Sequence, residues 1–340
     1  MFFGEVPVEA AEGAVLAHSE HLAGARLRKG LVLTRAEIAL LQAGGVARVT
    51  VARMDAGDVA EDAAAAALAA ALVPDPRGQG LSVGTAFTGR VNLNAVGPGI
   101  VELDAAAIHR LNRIDPAITL ATLAPYQRVV QGMLVGTVKI IAYGVPGAAL
   151  AAACAAARAA IRVRPVQMQT AGLILTDVAG MDAKIVAKGK RSIEGRLRAL
   201  GMQLVAVETV AHDTGAIAAA LGRLEGDVAL ILTGSATSDL QDTAPAAVRQ
   251  AGGVVHRFGM PVDPGNLLFH GALGGRPVIG LPGCARSPAL NGADWVLERY
   301  ACGLTVTDDD IAGMGVGGLL KEIPIRPQPR EARGRAADPE

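Results

Sequence analysis

The stretch Asp227–Pro245, reading D-V-A-L-I-L-T-G-S-A-T-S-D-L-Q-D-T-A-P, constrains the fold more than any other. Its opening run, Val228–Leu232, is apolar without a break, the pattern of a strand buried on both faces of a parallel sheet. A loop of small polar residues follows, Thr233-Gly234-Ser235-Ala236-Thr237-Ser238, and then the carboxylates Asp239 and Asp242. Asp242 or Thr243 would cap a helix that tolerates Pro245 in its first turn. Strand, Gly/Ser loop and helix start together present backbone N–H groups to a phosphate or another oxyanion. A carboxylate beside a phosphate repels it unless a cation lies between them. Asp239 and Asp242 are therefore the candidate Mg2+ ligands and catalytic groups. The competing reading is a plain turn and helix cap, for which small polar residues are good formers.

The same strand–loop–helix period runs through the second half of the chain and predicts an α/β fold, a parallel or mixed sheet with helices on both faces. Strands are expected at Gly172–Thr176, Gln203–Glu208, Val254–Phe258 and Pro277–Gly280. Helices are expected from Ser192 to Gly201, from an Asp213 or Thr214 cap to Leu224, near Ala244–Gln250, and from a Ser287 cap with Pro288 at N1 to about Tyr300. Four loops, 176–180, 233–242, 260–266 and 281–287, then share the carboxyl edge of one sheet, where such sheets bind ligands. Pro264-Gly265 reads as a type II turn, and Arg286 is placed to offer a bidentate charge to a phosphate.

The first half is a mixed α+β region. Thr34 with Glu37 makes a capping box for a helix ending at Gly44-Gly45, Asp58 with Glu61 a second such start for an alanine-rich helix over Ala60–Val73, and Asp104 a cap for a short helix. Asn92, Asn94 and Lys139 are polar residues inside apolar segments, candidates either to reach a ligand or to be satisfied locally. Arg162-Val163-Arg164-Pro165 reads as the joint, so the expected division is 1–165, a scaffold or dimerisation region, 166–306, the ligand-binding α/β domain, and 307–340, a Gly- and Pro-rich tail that is partly disordered by composition.

Lys plus Arg equals Asp plus Glu, 32 of each, so no broad field draws the chain to nucleic acid or to an anionic membrane. Cys154, Cys284 and Cys302 are odd in number and show no CxxC spacing, which fits a reduced, cytoplasmic protein. Ile140–Ala157 is uncharged but carries Gly144-Val145-Pro146-Gly147, the mark of a strand, a turn and a helix rather than a membrane span.

The run T-G-S-A-T-S-D-L-Q-D, with M-P-V-D-P-G-N-L-L-F-H-G and G-L-P-G-C-A-R-S-P downstream, resembles the molybdopterin-binding domain family of molybdenum cofactor biosynthesis. The likeness covers roughly 170–303 and is nearest to the molybdopterin molybdenumtransferases, which insert molybdate into adenylylated molybdopterin with Mg2+. L-R-K-G-L-V-L-T and A-G-D-V-A-E-D look similar to the leading region of that family. The resemblance implies molybdopterin or its nucleotide form as ligand or substrate, molybdate as a further substrate, Mg2+, and assembly as a dimer or trimer. It makes Thr233, Gly234, Ser235, Thr237 and Ser238 the candidate ligand-binding residues of the first loop. Pro264, Gly265 and Asn266 stand in the second, and Gly280, Pro282, Gly283, Cys284, Arg286 and Ser287 in the third.

Departures from the family pattern are specific. Ser235 stands for the second Gly of the first motif, Asn266-Leu267 for the Lys-Pro of the second, and Cys284-Ala285 for the Asn-Pro of the third. Asp177 lies near the place of the family's Gly-Asp-Glu, and the chain is too short for its C-terminal β-barrel. A lost Lys removes a cation that would offset anionic charge, which bears on molybdenum insertion and not on ligand binding. Cys284 is either a thiol activated at a helix start or a small packing residue. A cofactor carrier and a nucleotide pyrophosphatase on the same domain are the alternative functions.

Overall fold

A computed structural model describes residues 1–178 and 182–320. The chain divides into two compact units, Met1–Pro165 and Val166–Glu340.

The first unit is built from short antiparallel sheets. Phe2–Pro7, Arg48–Arg53 and Val15–Leu16 pair around a core of Leu16, Leu33, Leu41, Val49 and Val51. The helix Arg35–Ala43 begins at the expected capping box of Thr34 and Glu37. A second core, from Ala64 to Val163, gathers the helices Glu61–Leu72, Ala105–Leu111 and Gly147–Ala156 against two more sheets. Asp104 caps its helix as expected, its Oδ1 accepting from the Ala107 amide. Asp58 does not: it pairs as Asp58–Ala60 against Gly144–Pro146, and the following helix has no side-chain cap. Arg162–Pro165, read as the joint, closes the first unit as the end of the strand Ile161–Pro165, with Ile161 and Val163 buried on one face and Arg162 and Arg164 paired with Glu102 on the other. Asn92, Asn94 and Lys139 are satisfied locally. Thr137 donates to the Asn92 Oδ1, Asn94 donates to Gly132 O, and the Lys139 ammonium to Thr88 O. No helix of the described residues is long and apolar enough to cross a membrane.

In the second unit the elements are β1 (Thr170–Asp177), α1 (Ala183–Ala199), β2 (Gln203–Ala211), α2 (Thr214–Arg223), β3 (Val228–Leu232), α3 (Thr243–Gln250), β4 (Val254–Phe258), β5 (Phe269–Leu273), β6 (Arg276–Leu281), α4 (Gly292–Ala301) and α5 (Asp308–Gly313). They form a six-stranded sheet in the order β2-β1-β3-β6-β5-β4. Strands β2, β1, β3 and β6 run parallel, and β5 runs antiparallel to both β6 and β4. One apolar cluster packs residues of α1, α4 and α5 on one face, and another packs α2 and α3 on the other. Every residue of β3 is buried, as an unbroken apolar run at the centre of such a sheet requires.

Three expectations are corrected. Helix α1 begins at Asp182, whose Oδ1 accepts from the Lys184 amide, and Ser192 lies buried in its interior. The basic residues on its exposed face obscured the buried stripe through Gly189, Ile193 and Leu197. Helix α4 begins at an Asn291 cap with Asp294 completing a capping box, so Ser287 and Pro288 stand in the loop before it. Strand β5 was not anticipated; it returns the chain across the sheet and makes the sheet mixed. Of the tail expected over 307–340, residues 321–340 lie outside the described residues. The part before them is folded: Thr307 and Asp310 cap α5, and Ile311 and Met314 are buried in the core.

Candidate functional site

The parallel strands end on one edge, and because β5 is antiparallel, the connection from β4 to β5 lies on that edge too. The loops after β1, β3, β4 and β6 therefore meet there. Ala179 and Gly180 of the first loop lie outside the described residues.

The loop after β3 is held from two sides. The Thr176 hydroxyl, at the end of β1, accepts from the Gly234 amide at 2.7 Å and contacts His212 Nδ1 at 2.9 Å. Asp242 caps α3. Its Oδ1 accepts from the Thr243 amide at 2.7 Å, and its Oδ2 accepts from the Ser238 amide at 2.9 Å and from the Ser238 hydroxyl at 3.3 Å. The Ser238 amide first, then the Thr243 amide, the Ser238 hydroxyl and the nearby His212, hold the Asp242 carboxyl below the usual carboxylate range. Asp239 is exposed and accepts from the Gln241 amide at 2.7 Å.

These bonds decide which amides remain for a ligand. Gly234 and Ser238 have spent theirs, whereas the amides of Ser235, Ala236 and Thr237 have no acceptor among the described residues. Thr233 and Thr237 are buried; Ser235 and Ser238 are exposed. The loop after β6 passes through Pro282 into a single 3-10 turn, Gly283–Arg286. There the Ala285 amide bonds to Pro282 O and the Ser287 amide to Cys284 O, leaving those of Gly283 and Cys284 without an acceptor among the described residues.

Arg286 ties the first and third loops together. Its guanidinium donates to Thr233 O and to Gly283 O, and burial pushes it below the usual arginine range. Gly189 of α1 makes room for Leu232 beside it: a Cβ there would stand 2.9 Å from Leu232 Cδ2, while Arg286 Cγ would lie at ordinary contact distance, 3.5 Å. The guanidinium thus works as a clasp between the two loops. Cys284 Sγ receives a hydrogen bond from Asn291 Nδ2 at 3.0 Å. Ser287 Oγ accepts from the Ala289 amide at 3.3 Å.

The second loop is fixed against the start of α4. The Gly292 amide donates to Pro264 O at 2.8 Å, and a Cβ on Gly265 would stand 2.8 Å from that same nitrogen. Gly265 has φ +147°, the Asp263–Pro264 peptide is cis, and Asp263 O accepts from the Leu320 amide, so this is not the type II turn expected. Asn266 is exposed, and its carbonyl accepts from the Met260 amide. Gly280 lies back inside β6 beneath the Phe269 ring, which gives it a packing reason of its own.

Asp242 Oδ1 serves the helix cap and Oδ2 the loop before it, Asp239 lies on the surface, and no group of three or more His, Cys, Asp or Glu residues could hold a metal among the described residues. What the edge offers instead is two runs of unengaged amides, 235–237 and 283–284, joined by Arg286. Thr176, His212, Arg196, Asn291 and Asp294 hold the loops and were missed from sequence. Only the Asn291/Asp294 capping-box spacing could have announced any of them.

Residues 172–299 match the family model described as "Probable molybdopterin binding domain", so the second unit carries a domain of the molybdopterin-binding family. Residues 5–53 match "Domain of unknown function (DUF8806)". No curated protein matches the chain. Among solved structures it is similar to the molybdopterin biosynthesis moea protein from Pyrococcus horikosii, with 15% identity over 89% of this chain and 76% of that one, at a TM-score of 0.30. It is also similar to a molybdenum cofactor biosynthesis protein from Pyrococcus furiosus, with 13% identity over 92% of this chain and 65% of that one, at a TM-score of 0.22.

Proposed function

We propose that the carboxyl edge of the second unit binds molybdopterin or its nucleotide form, and that the protein acts in molybdenum cofactor maturation. One observation carries the reading: the loops after β3 and β6, each with unengaged amides, are tied together by Arg286, within a domain that matches a molybdopterin-binding family. Backbone N–H groups at such a loop suit the terminal phosphate of the pterin or the diphosphate of its nucleotide form. Asp242 acts by holding the first loop in shape, since a carboxylate committed to two amides is a poor base. Transfer of molybdate, handover to a client enzyme as a carrier, and assembly as a dimer or trimer in the cytoplasm are the finer forms of this proposal. The engagement of both Asp242 oxygens favours the carrier.

Equilibrium binding of the full chain to molybdopterin, with AMP and ADP-ribose in parallel and Mg2+ varied, tests it. Tight pterin binding that does not need Mg2+ is expected. Affinity for the nucleotides with none for molybdopterin overturns it in favour of the pyrophosphatase.

A further inference from the structure

We infer that Arg196 is the positioning residue of this site, the group that holds the loop after β6 in its ligand-binding shape and couples it to the loop after β4. The inference rests on the proposed reading of that edge as an oxyanion site.

Arg196 lies near the end of α1 and is 8% exposed. Its Nε pairs with Asp294 Oδ1 at 2.6 Å. Nη1 donates to Ser192 Oγ at 2.7 Å and to Ala285 O at 3.0 Å, and Nη2 donates to Ser287 O at 2.8 Å and to Ala289 O at 3.0 Å. The five donors of the guanidinium are thereby all used. Three of the acceptors are carbonyls of alternate residues in one loop. In a trans peptide the carbonyl of one residue and the amide of the next point to opposite sides. Turning 285, 287 and 289 toward Arg196 therefore fixes the sense in which the whole segment presents its remaining groups.

The partner of the charge extends the hold. Asp294 Oδ2 accepts from the Asn291 amide at 2.8 Å; Asn291 donates to Cys284 Sγ, and the neighbouring Gly292 amide to Pro264 O. One buried ion pair thus spans the second and third loops. A lysine cannot do the same, because its three donors radiate from one nitrogen and cannot reach carbonyls on both sides of a planar fork. The residues with free amides, Gly283 and Cys284, lie directly before the clamped segment, so their aim depends on it.

The test uses the full chain, molybdopterin as probe, and three variants. Arg196→Lys is expected to stay folded, with molybdopterin affinity at least about tenfold weaker, a loss of roughly 1.4 kcal/mol or more. Met202→Ala, which removes a buried side chain of the same apolar cluster away from the loops, is expected to lower the unfolding temperature and leave affinity unchanged. In the wild type the Nε–H resonance of Arg196 should shift on saturation with molybdopterin, which keeps the inference open to refutation if Arg196→Lys does not fold. Wild-type affinity retained by folded Arg196→Lys, or an unmoved resonance, overturns it while leaving the binding site standing. Absence of molybdopterin binding by the wild type overturns the underlying reading, and this inference with it.

Discussion

The ring of Phe269 occupies the space that a side chain at Gly280 would fill. The two residues face each other across β5 and β6, and a Cβ on Gly280 would lie 1.9 Å from Phe269 Cε1. Gly280→Ala should therefore be strongly destabilising, by about 1–3 kcal/mol or more, since an overpacked core can relax only by shifting backbone. Adding Phe269→Leu should recover part of the loss. Urea unfolding of the single and double variants measures both, and additive effects would argue against the contact.

Thr176→Val keeps the shape of the side chain and removes its hydroxyl. The Gly234 amide and His212 Nδ1 then lose their partner. About 1–3 kcal/mol of stability should be lost, and the first loop should become the earliest part of the second unit to exchange its amide hydrogens. Protection at Gly234 equal to wild type would contradict the assigned bond.

Asp242→Ala should cost about 1 kcal/mol as a lost helix cap, and Asp242→Asn less. The pH dependence has a definite sign. The folded carboxyl titrates below its unfolded value, so its contribution is present above the unfolded value and is lost as pH falls through the folded one. Thermal unfolding of wild type and Asp242→Ala should accordingly differ at neutral pH and converge in acid.

His270 is wholly buried, its Nδ1 bonded to the Tyr300 hydroxyl at 2.8 Å and its Nε2 without a partner among the described residues. Burial first, then the nearby His256 and Arg257, push it down to about 4 against an opposing pull from Asp308. The unfolded chain takes up this proton near pH 6.5 and the folded chain only near 4, so stability should fall as pH drops between those values and gain no further slope from this group below them. The loss is of order 3 kcal/mol at most. His270→Phe should flatten the profile over that range; an unchanged slope would place the acid sensitivity elsewhere.

Local chemistry made much of this architecture readable. The apolar run of β3, the Asp213, Asp242 and Asp104 caps and the Thr34/Glu37 box act over a few residues, and each appears where its spacing places it. Strand β5 was hidden because F-H-G-A-L follows a Pro- and Gly-rich loop and lacks the alternation of a half-buried strand, its first residues being buried. The start of α1 was hidden by its lysines, and that of α4 by a proline that signals a helix equally well from one turn too early.

The sequence by itself determined that a loop of small polar residues follows a buried parallel strand and that three motifs stand at carboxyl ends of one sheet, because hydrophobic period and turn chemistry are properties of neighbours in the chain. Only the tertiary structure decided which groups of that edge are available. The hydroxyl of Thr176 lies 58 residues from the amide of Gly234 that it accepts from, and Arg196 lies 98 residues from Asp294. Each of these bonds spends a donor or acceptor of that edge or fixes the direction of its neighbours. Whether a buried polar group is spent or free depends on partners brought from distant segments, and no local pattern encodes that.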